Sequence, residues 1–260
     1  MAVHDFKAQR LFLEADLASG ARVRLDATQA NYLQNVLRLK PGQSVHVFNG
    51  RDGEWRARLE ETGRRAADLV VEDKIRDQDS GPDIDYLFAP LKRARLDYMV
   101  QKAVEMGVVR LCPILTRHTV AERVNLDRMR ANAIEAAEQC GILRLPSIVE
   151  PDKLERVVAA WPSDRALVFC DEDACQMNPI AALRAGLEDR PAGEAEGRRR
   201  KLALLIGPEG GFSSAERDLL MALPQVIRVS LGPRILRADT AAVAALALVG
   251  AVVGYSTEYE

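Results

Sequence analysis

The chain is poor in the residues on which common catalytic and structural devices depend. Of its 260 residues, only three are histidine (His4, His46, His118) and four are cysteine (Cys112, Cys140, Cys170, Cys175). No two cysteines form a CxxC pair, so zinc frameworks are excluded and no metal is expected. The cysteines read as free thiols of a reducing cytosol. No Ser-His-Asp spacing stands out. Long hydrophobic runs are also missing. The longest, AAVAALALVGAVVG at 241–254, is too short and alanine-rich for a membrane span and reads as a buried helix. The first ten residues lack the apolar core of a secretory signal, so the expectation is a cytoplasmic protein with no membrane partner. Charge of one sign is not in excess: 36 Lys+Arg against 38 Asp+Glu give a formal net charge of −2. Only a local basic patch could then serve nucleic acid.

What is present divides the chain in two. Residues 1 to about 75 read as short strands around one helix. Residues 10–14, 23–25, 44–48, 55–59 and 67–71 alternate like half-buried strands, and turn dipeptides punctuate them at Pro41-Gly42, Asn49-Gly50 and Asp52-Gly53. Thr28 is placed to cap a helix through about Leu37. Many short strands with regular turns suggest a small β-barrel. A polar stretch, 75–83, is the expected linker. Beyond it, apolar strands at 86–89, 111–115, 166–170, 202–206 and 226–229 alternate with helical periodicity at 96–106, 126–140, 154–161, 215–223 and 240–253. That alternation predicts an α/β domain with a mostly parallel sheet, spanning 76–260. The charge-dense segment 186–200 reads as a loop.

Two glycine loops stand out in the second half. Ile206-Gly-Pro-Glu-Gly-Gly-Phe-Ser213 follows an apolar strand and runs into Ser213–Glu216, which has capping-box spacing. Leu231-Gly-Pro-Arg-Ile-Leu-Arg-Ala-Asp-Thr240 follows the next strand and precedes an alanine-rich helix that Asp239 or Thr240 could cap. Glycines at strand ends in parallel α/β folds mark places where backbone approaches a ligand. Neither loop fits G-x-G-x-x-G or G-x-x-x-x-G-K-[ST], which disfavours a dinucleotide or triphosphate cradle. Arg234 and Arg237 lie three apart at the second loop. Between Lys92 and Arg144 there are 10 Lys+Arg against 6 Asp+Glu, clustered at loop and helix starts. Such clusters can neutralise phosphates, although a solvated helix face accounts for any single one of them. Glu138 and Gln139 end a helix before Gly141, either as an acid/base pair or as dressing of a helix end. Cys140 beside them reads as a small buried hydrophobe.

Together, IGPEGGFS, LGPRILR and VQKAVEMGV…AAEQCG, in this order and spacing, resemble the bacterial 16S rRNA (uracil-N3)-methyltransferases, ribosomal RNA small subunit methyltransferase E, of the SPOUT superfamily. RLFLE and FNGRDGEW extend the likeness to the front of the chain. The resemblance implies a PUA-like RNA-binding β-barrel over 1–75 and a SPOUT methyltransferase domain with a C-terminal trefoil knot over 76–260. It also implies a homodimer, S-adenosylmethionine as methyl donor, and 16S rRNA of the small ribosomal subunit as partner. By position, Ile206, Gly207, Pro208, Glu209 and Gly210 would line the donor pocket with Leu231, Gly232, Ile235, Leu236, Arg237 and Thr240. Cys170, Asp171 and Glu172 would supply a third wall. Arg10, Arg24, Lys92, Lys102, Arg117 and Arg123 would face RNA. The sequence departs from the family at Ala238-Asp239-Thr240, where Thr-Glu-Thr is usual, and at Ile142, where an arginine usually follows Gly141.

Uracil N3 carries a proton where the methyl must go. An arginine near O2 or O4 would stabilise the developing anion, and a carboxylate or water could accept the proton. Arg237 or Arg234 is the candidate for the first role, and Asp239 or Glu209 for the second. N3 lies on the pairing edge, so the target is expected to be unpaired or splayed out. Other readings are methylation of another RNA nucleotide or a ribose 2′-OH, and an RNA-binding assembly factor without catalysis.

Overall fold

The computed structural model describes residues 8–63, 66–79, 81–121, 123–174, 178–188 and 200–254. Cys175 and most of the charge-dense segment, 189–199, lie outside the described residues. The chain divides into two compact units, Met1–Ser80 with Ile134–Leu145, and Gly81–Ala133 with Pro146–Glu260.

The first unit holds β1 (Arg10–Phe12), β2 (Arg22–Arg24), α1 (Ala27–Asn31), β3 (Ser44–Phe48), β4 (Glu54–Gly63) and β5 (Ala66–Arg76). They form one five-stranded sheet in the order β1-β3-β4-β5-β2, antiparallel except for β1 with β3. Period-two alternation sends Val23, Val45, Val47, Ala57, Leu59, Leu69 and Val71 into a single core. Thr28 does not cap α1. Asp26 does, because its extended backbone lets the carboxylate accept from Gln29 N at 2.8 Å while the Gln29 side chain returns to Asp26 N. After α1 the chain widens into a π-helical turn, Tyr32–Val36, which buries Leu33. The expected linker is shorter than its polar composition suggests: Ile75 and Arg76 complete β5, and Asp83 already begins the next strand.

The second unit contains β6 (Asp83–Phe88), α2 (Arg93–Glu105), β7 (Arg110–Leu115), the start of α3 (Leu126–Cys140), β8 (Ser147–Ile148), β9 (Asp152–Lys153), α4 (Leu154–Ala159), β10 (Arg165–Cys170), α5 (Pro179–Glu188), β11 (Lys201–Ile206), α6 (Ser214–Met221), β12 (Val226–Val229) and α7 (Ala238–Val253). The strand order is β12-β10-β11-β6-β7-β8, with β9 beside β7, and every pairing is parallel. β6, β10 and β11 are buried almost residue by residue, which is how strands covered on both faces read. Small residues of α7, Ala241, Ala242, Ala245 and Gly250, are buried and let it pack closely on α2 and α5. α5 was not among the expected helices. α7 begins two residues earlier than expected, with Arg237 at its cap position, so neither Asp239 nor Thr240 caps it. Asp239 lies inside the first turn and accepts from Thr240 N at 3.0 Å. Among the described residues no helix is long and apolar enough to cross a membrane.

Candidate functional site

The strand order decides where a site forms. β12, β10 and β11 are neighbours and run parallel, so the loops leaving their C-terminal ends converge. Those loops, 170–174, 206–212 and 230–238, line a cavity of about 540 Å³, inside the range that takes a small organic ligand. Cys170, Asp171, Glu172, Ile206, Gly207, Pro208, Glu209, Leu231, Gly232, Ile235, Leu236 and Arg237 all line it, with Arg234. Gly210 and Thr240 do not. Gly210 faces the loop after β7, where an added Cβ would lie 3.2 Å from His118 Cβ, and Thr240 is on the exposed side of α7. Asp239 also lies off the lining, held in the first turn of α7.

Each wall has its own brace. In the first loop, a Cβ at Gly207 would collide with the Phe212 ring, which stacks edge-on against Phe169 at 5.3 Å. Ser213 and Glu216 complete the capping box of α6 that the sequence foreshadows. The buried Glu216 carboxylate accepts from Ser213 N and Oγ at 2.8 Å and from Arg117 N at 2.7 Å. Burial alone would raise this carboxyl, but those hydrogen bonds outweigh it and lower it. The loop after β10 turns on Asp171, whose side chain is wholly buried. Arg228 of β12 meets it at 2.5 Å and Arg217 of α6 at 3.1 Å, and Arg217 also pairs with Asp173. One buried carboxylate thus ties the three walls together.

Arg217 is the charged lining residue that sequence reasoning missed. The available signal was its place one turn after the Ser213 cap, but its aim into the cavity comes from α6 packing beside the loop after β10. Cys170 is half-buried, yet desolvation pushes its thiol up to about 12, so it stays protonated and weakly nucleophilic. Glu209 forms an ion pair with Arg95 of α2.

The basic residues expected to face RNA separate into different environments. Arg10 is a correction. It is buried, its Nε bonded to Glu54 at 2.7 Å, so its guanidinium is unavailable to a phosphate at the surface. Arg24 is exposed and paired with Asp68 at 2.6 Å. Lys102 pairs with Glu105 at 2.7 Å and lies over the Tyr98 ring at 5.5 Å. Arg117 is exposed, with its backbone N–H spent on Glu216. Lys92 and Arg123 are exposed and line a second concavity together. Glu138 dresses the structure of the first unit, accepting from Phe12 N at 2.8 Å, and Gly141 adopts φ +67°, as a helix-ending glycine does. Cys140 is exposed rather than buried.

Against known proteins, the model of an RNA methyltransferase domain matches residues 79–250, and that of an RNA methyltransferase PUA domain matches residues 25–72. A ribosomal RNA small subunit methyltransferase E from Synechocystis is 31% identical over 251 residues, which cover 94% of this chain and 78% of that protein. Its counterpart from Rickettsia conorii is 26% identical over 244 residues, covering 94% and 95%. Among solved structures, the Neisseria gonorrhoeae ribosomal RNA small subunit methyltransferase E bound to S-adenosyl methionine shares the fold, with a TM-score of 0.77 at 24% identity over 94% of this chain and 98% of that one. A probable rRNA-methyltransferase from Porphyromonas gingivalis gives 0.72 at 27% identity over 88% and 93%. The parallel-sheet unit, its three converging loops and the sheet before it agree with matches that run along nearly the whole chain: it belongs to the ribosomal RNA small subunit methyltransferase E family of RNA methyltransferases.

Proposed function

We propose that this protein transfers the methyl group of S-adenosylmethionine to N3 of a specific uridine in 16S rRNA of the small ribosomal subunit. The observation that carries the reading is the cavity where β10, β11 and β12 end, walled by backbone-rich glycine loops and flanked by Arg234 and Arg237. The residues there fit the donor. Ile206, Leu231 and Leu236 offer apolar surface to a purine, and the exposed carboxylate of Glu172 suits hydroxyl and ammonium groups. The loops lack the glycine spacings that hold a diphosphate, as suits a donor without phosphate. Homodimerisation, a trefoil knot at these loops and a cytoplasmic location belong to the same reading. The return of the chain from β11 to the far side of β10 supports the knot.

The bound donor supplies an already electrophilic methyl, so the remaining task is alignment and charge. Arg237 stands at the extended turn before α7 with an exposed side chain, and Arg234 is exposed three residues earlier. From there a guanidinium can donate to O2 or O4 of the uracil and stabilise the negative charge that develops as the N3 proton leaves. Glu209 lines the cavity and is the carboxylate placed to accept that proton, directly or through water. Asp239, off the lining, is left to shape the start of α7.

The test is mass spectrometry of nucleosides from 16S rRNA or small subunits treated with the protein and isotopically labelled donor. Labelled 3-methyluridine is the expected product. A labelled ribose-methylated nucleoside, or no label with the donor bound, would overturn the reading. Arg237→Ala is expected to lower kcat, measured at saturating donor, by about 10²–10³-fold, the usual loss when an oxyanion donor is removed. Wild-type kcat in that variant would remove Arg237 from the role.

A further inference from the structure

The second concavity of the α/β unit, about 810 Å³, lies at the start of α2 and beside the segment that enters α3. Among the described residues five cations line it, Lys92, Arg93, Arg95, Arg123 and Arg128, against one acid, Asp97. Asp97 is already satisfied: Arg128 grips it with two nitrogens at 2.8 and 2.6 Å, and Asn132 donates to it at 2.8 Å. Those bonds hold its carboxyl below the ordinary range, so the acid is fully used. Lys92, Arg93 and Arg123 are exposed and have no acidic partner among the described residues. Three cations with no acidic partner among the described residues, converging on one concave surface, repel one another. That cost is removed when anions enter. Lys92 also occupies the cap position of α2 without a side-chain cap bond.

One ion pair fixes where this surface lies relative to the chemistry. Arg95 lines the basic concavity and pairs with Glu209, which lines the donor cavity. The two cavities therefore share a wall one ion pair thick. A nucleotide whose base enters the first would leave its flanking backbone near the second.

We propose that the concavity of Lys92, Arg93 and Arg123 seats backbone phosphates flanking the methylated nucleotide. This rests on the methyltransferase reading and adds the placement of the substrate strand. Phosphate contacts position a strand without reading its sequence, so the seat sets register while the loops around the donor act on the base. Arg128 is held by Asp97 and is not spent on the ligand.

The test measures binding of rRNA, and separately of donor, across a salt series for the full-length protein and for Lys92→Gln/Arg93→Gln/Arg123→Gln. Single-strand contacts contribute a slope of about 0.7 per phosphate in log affinity against log salt, so losing three should flatten the slope by about 2. RNA affinity should fall at least tenfold at low salt, with donor affinity within about twofold of wild type. Tripolyphosphate at matched ionic strength should compete weakly with RNA, as fits a seat for a polymer backbone. Strong competition by it would point instead to free polyphosphate and overturn the strand assignment. An unchanged slope and RNA affinity, with RNA still methylated, would overturn the seat alone. Loss of methylation by the wild-type protein with the slope change still present would overturn the enzymatic reading and leave the seat standing.

Discussion

At the scale of single residues, Glu54 shows how a buried charge is retained. Its side chain is 2% exposed, and it is met by Arg10 at 2.7 Å, Arg76 at 3.0 Å and His46 at 3.3 Å. Burial by itself would raise its carboxyl, but the hydrogen bond with His46 and the charges of Arg76 and Arg10 prevail and hold it at about 2. In the unfolded chain the group titrates near 4.5. Above about 5 it is charged in both states, and the pairing contributes in full. Between those values the unfolded chain takes up a proton that the folded chain refuses, so stability falls as pH falls, and below about 2 the contribution is gone. The span corresponds to about 3 kcal/mol. Glu54→Gln should flatten this acid dependence in denaturant titrations at pH 3 and pH 7, while destabilising the protein at neutral pH because the buried charge that meets Arg10 and Arg76 is removed. An identical acid loss in the variant would sink this account. Arg10 reads in sequence as one more basic residue on an alternating strand. Alternation cannot separate an arginine that faces water from one folded onto a carboxylate 44 positions away.

At the scale of elements, Glu216 joins a helix start to a cavity wall. It closes the capping box of α6 and anchors the Arg117 backbone from the loop after β7. Glu216→Ala leaves those donors without their acceptor, and a loss of about 1–3 kcal/mol is expected. Donor affinity should weaken with it, because the loop from Gly207 to Phe212 ends at that box. Glu216→Gln retains an acceptor oxygen and the capping-box chemistry, so it should recover most of both. Equal damage from the two substitutions would mean that charge, rather than the hydrogen bonds, carries the role. This element was legible because Ser213 and Glu216 are local in sequence. So were the helices other than α5: periodicity places α3 over the residues it occupies and α2 within three residues of its observed start. The start of α1 was misplaced because Asp26 and Thr28 both have capping side chains, and backbone direction chose between them. The lining loops were legible from their glycines. Arg217, and the convergence of Lys92 and Arg93 with Arg123, were not, because they depend on which helices pack together rather than on spacing along the chain.

At the scale of the whole molecule, each unit has its own hydrophobic core, and every lining residue of the donor cavity belongs to the second. A ligand that binds only the folded form stabilises it by RT ln(1 + [L]/Kd), about 2.7 kcal/mol at a hundred times Kd. For a unit of this size each kcal/mol moves the midpoint by roughly 2–4 °C, so saturating S-adenosylmethionine should raise the thermal transition of the methyltransferase unit by about 5–10 °C. Gly207→Ala supplies the control. Its new Cβ would run into the Phe212 ring, and the ring must shift and distort that wall of the cavity. The variant should still fold, since Gly207 sits after the end of β11 and outside every strand pairing of the sheet. Its donor-induced shift should shrink by most of the wild-type value. If Gly207→Ala kept the full shift, the donor would not be held against the loop after β11. If the wild-type protein showed no shift at a donor concentration far above the Kd that the proposed function requires, the folded protein would not bind the donor and the reading of this cavity would fall.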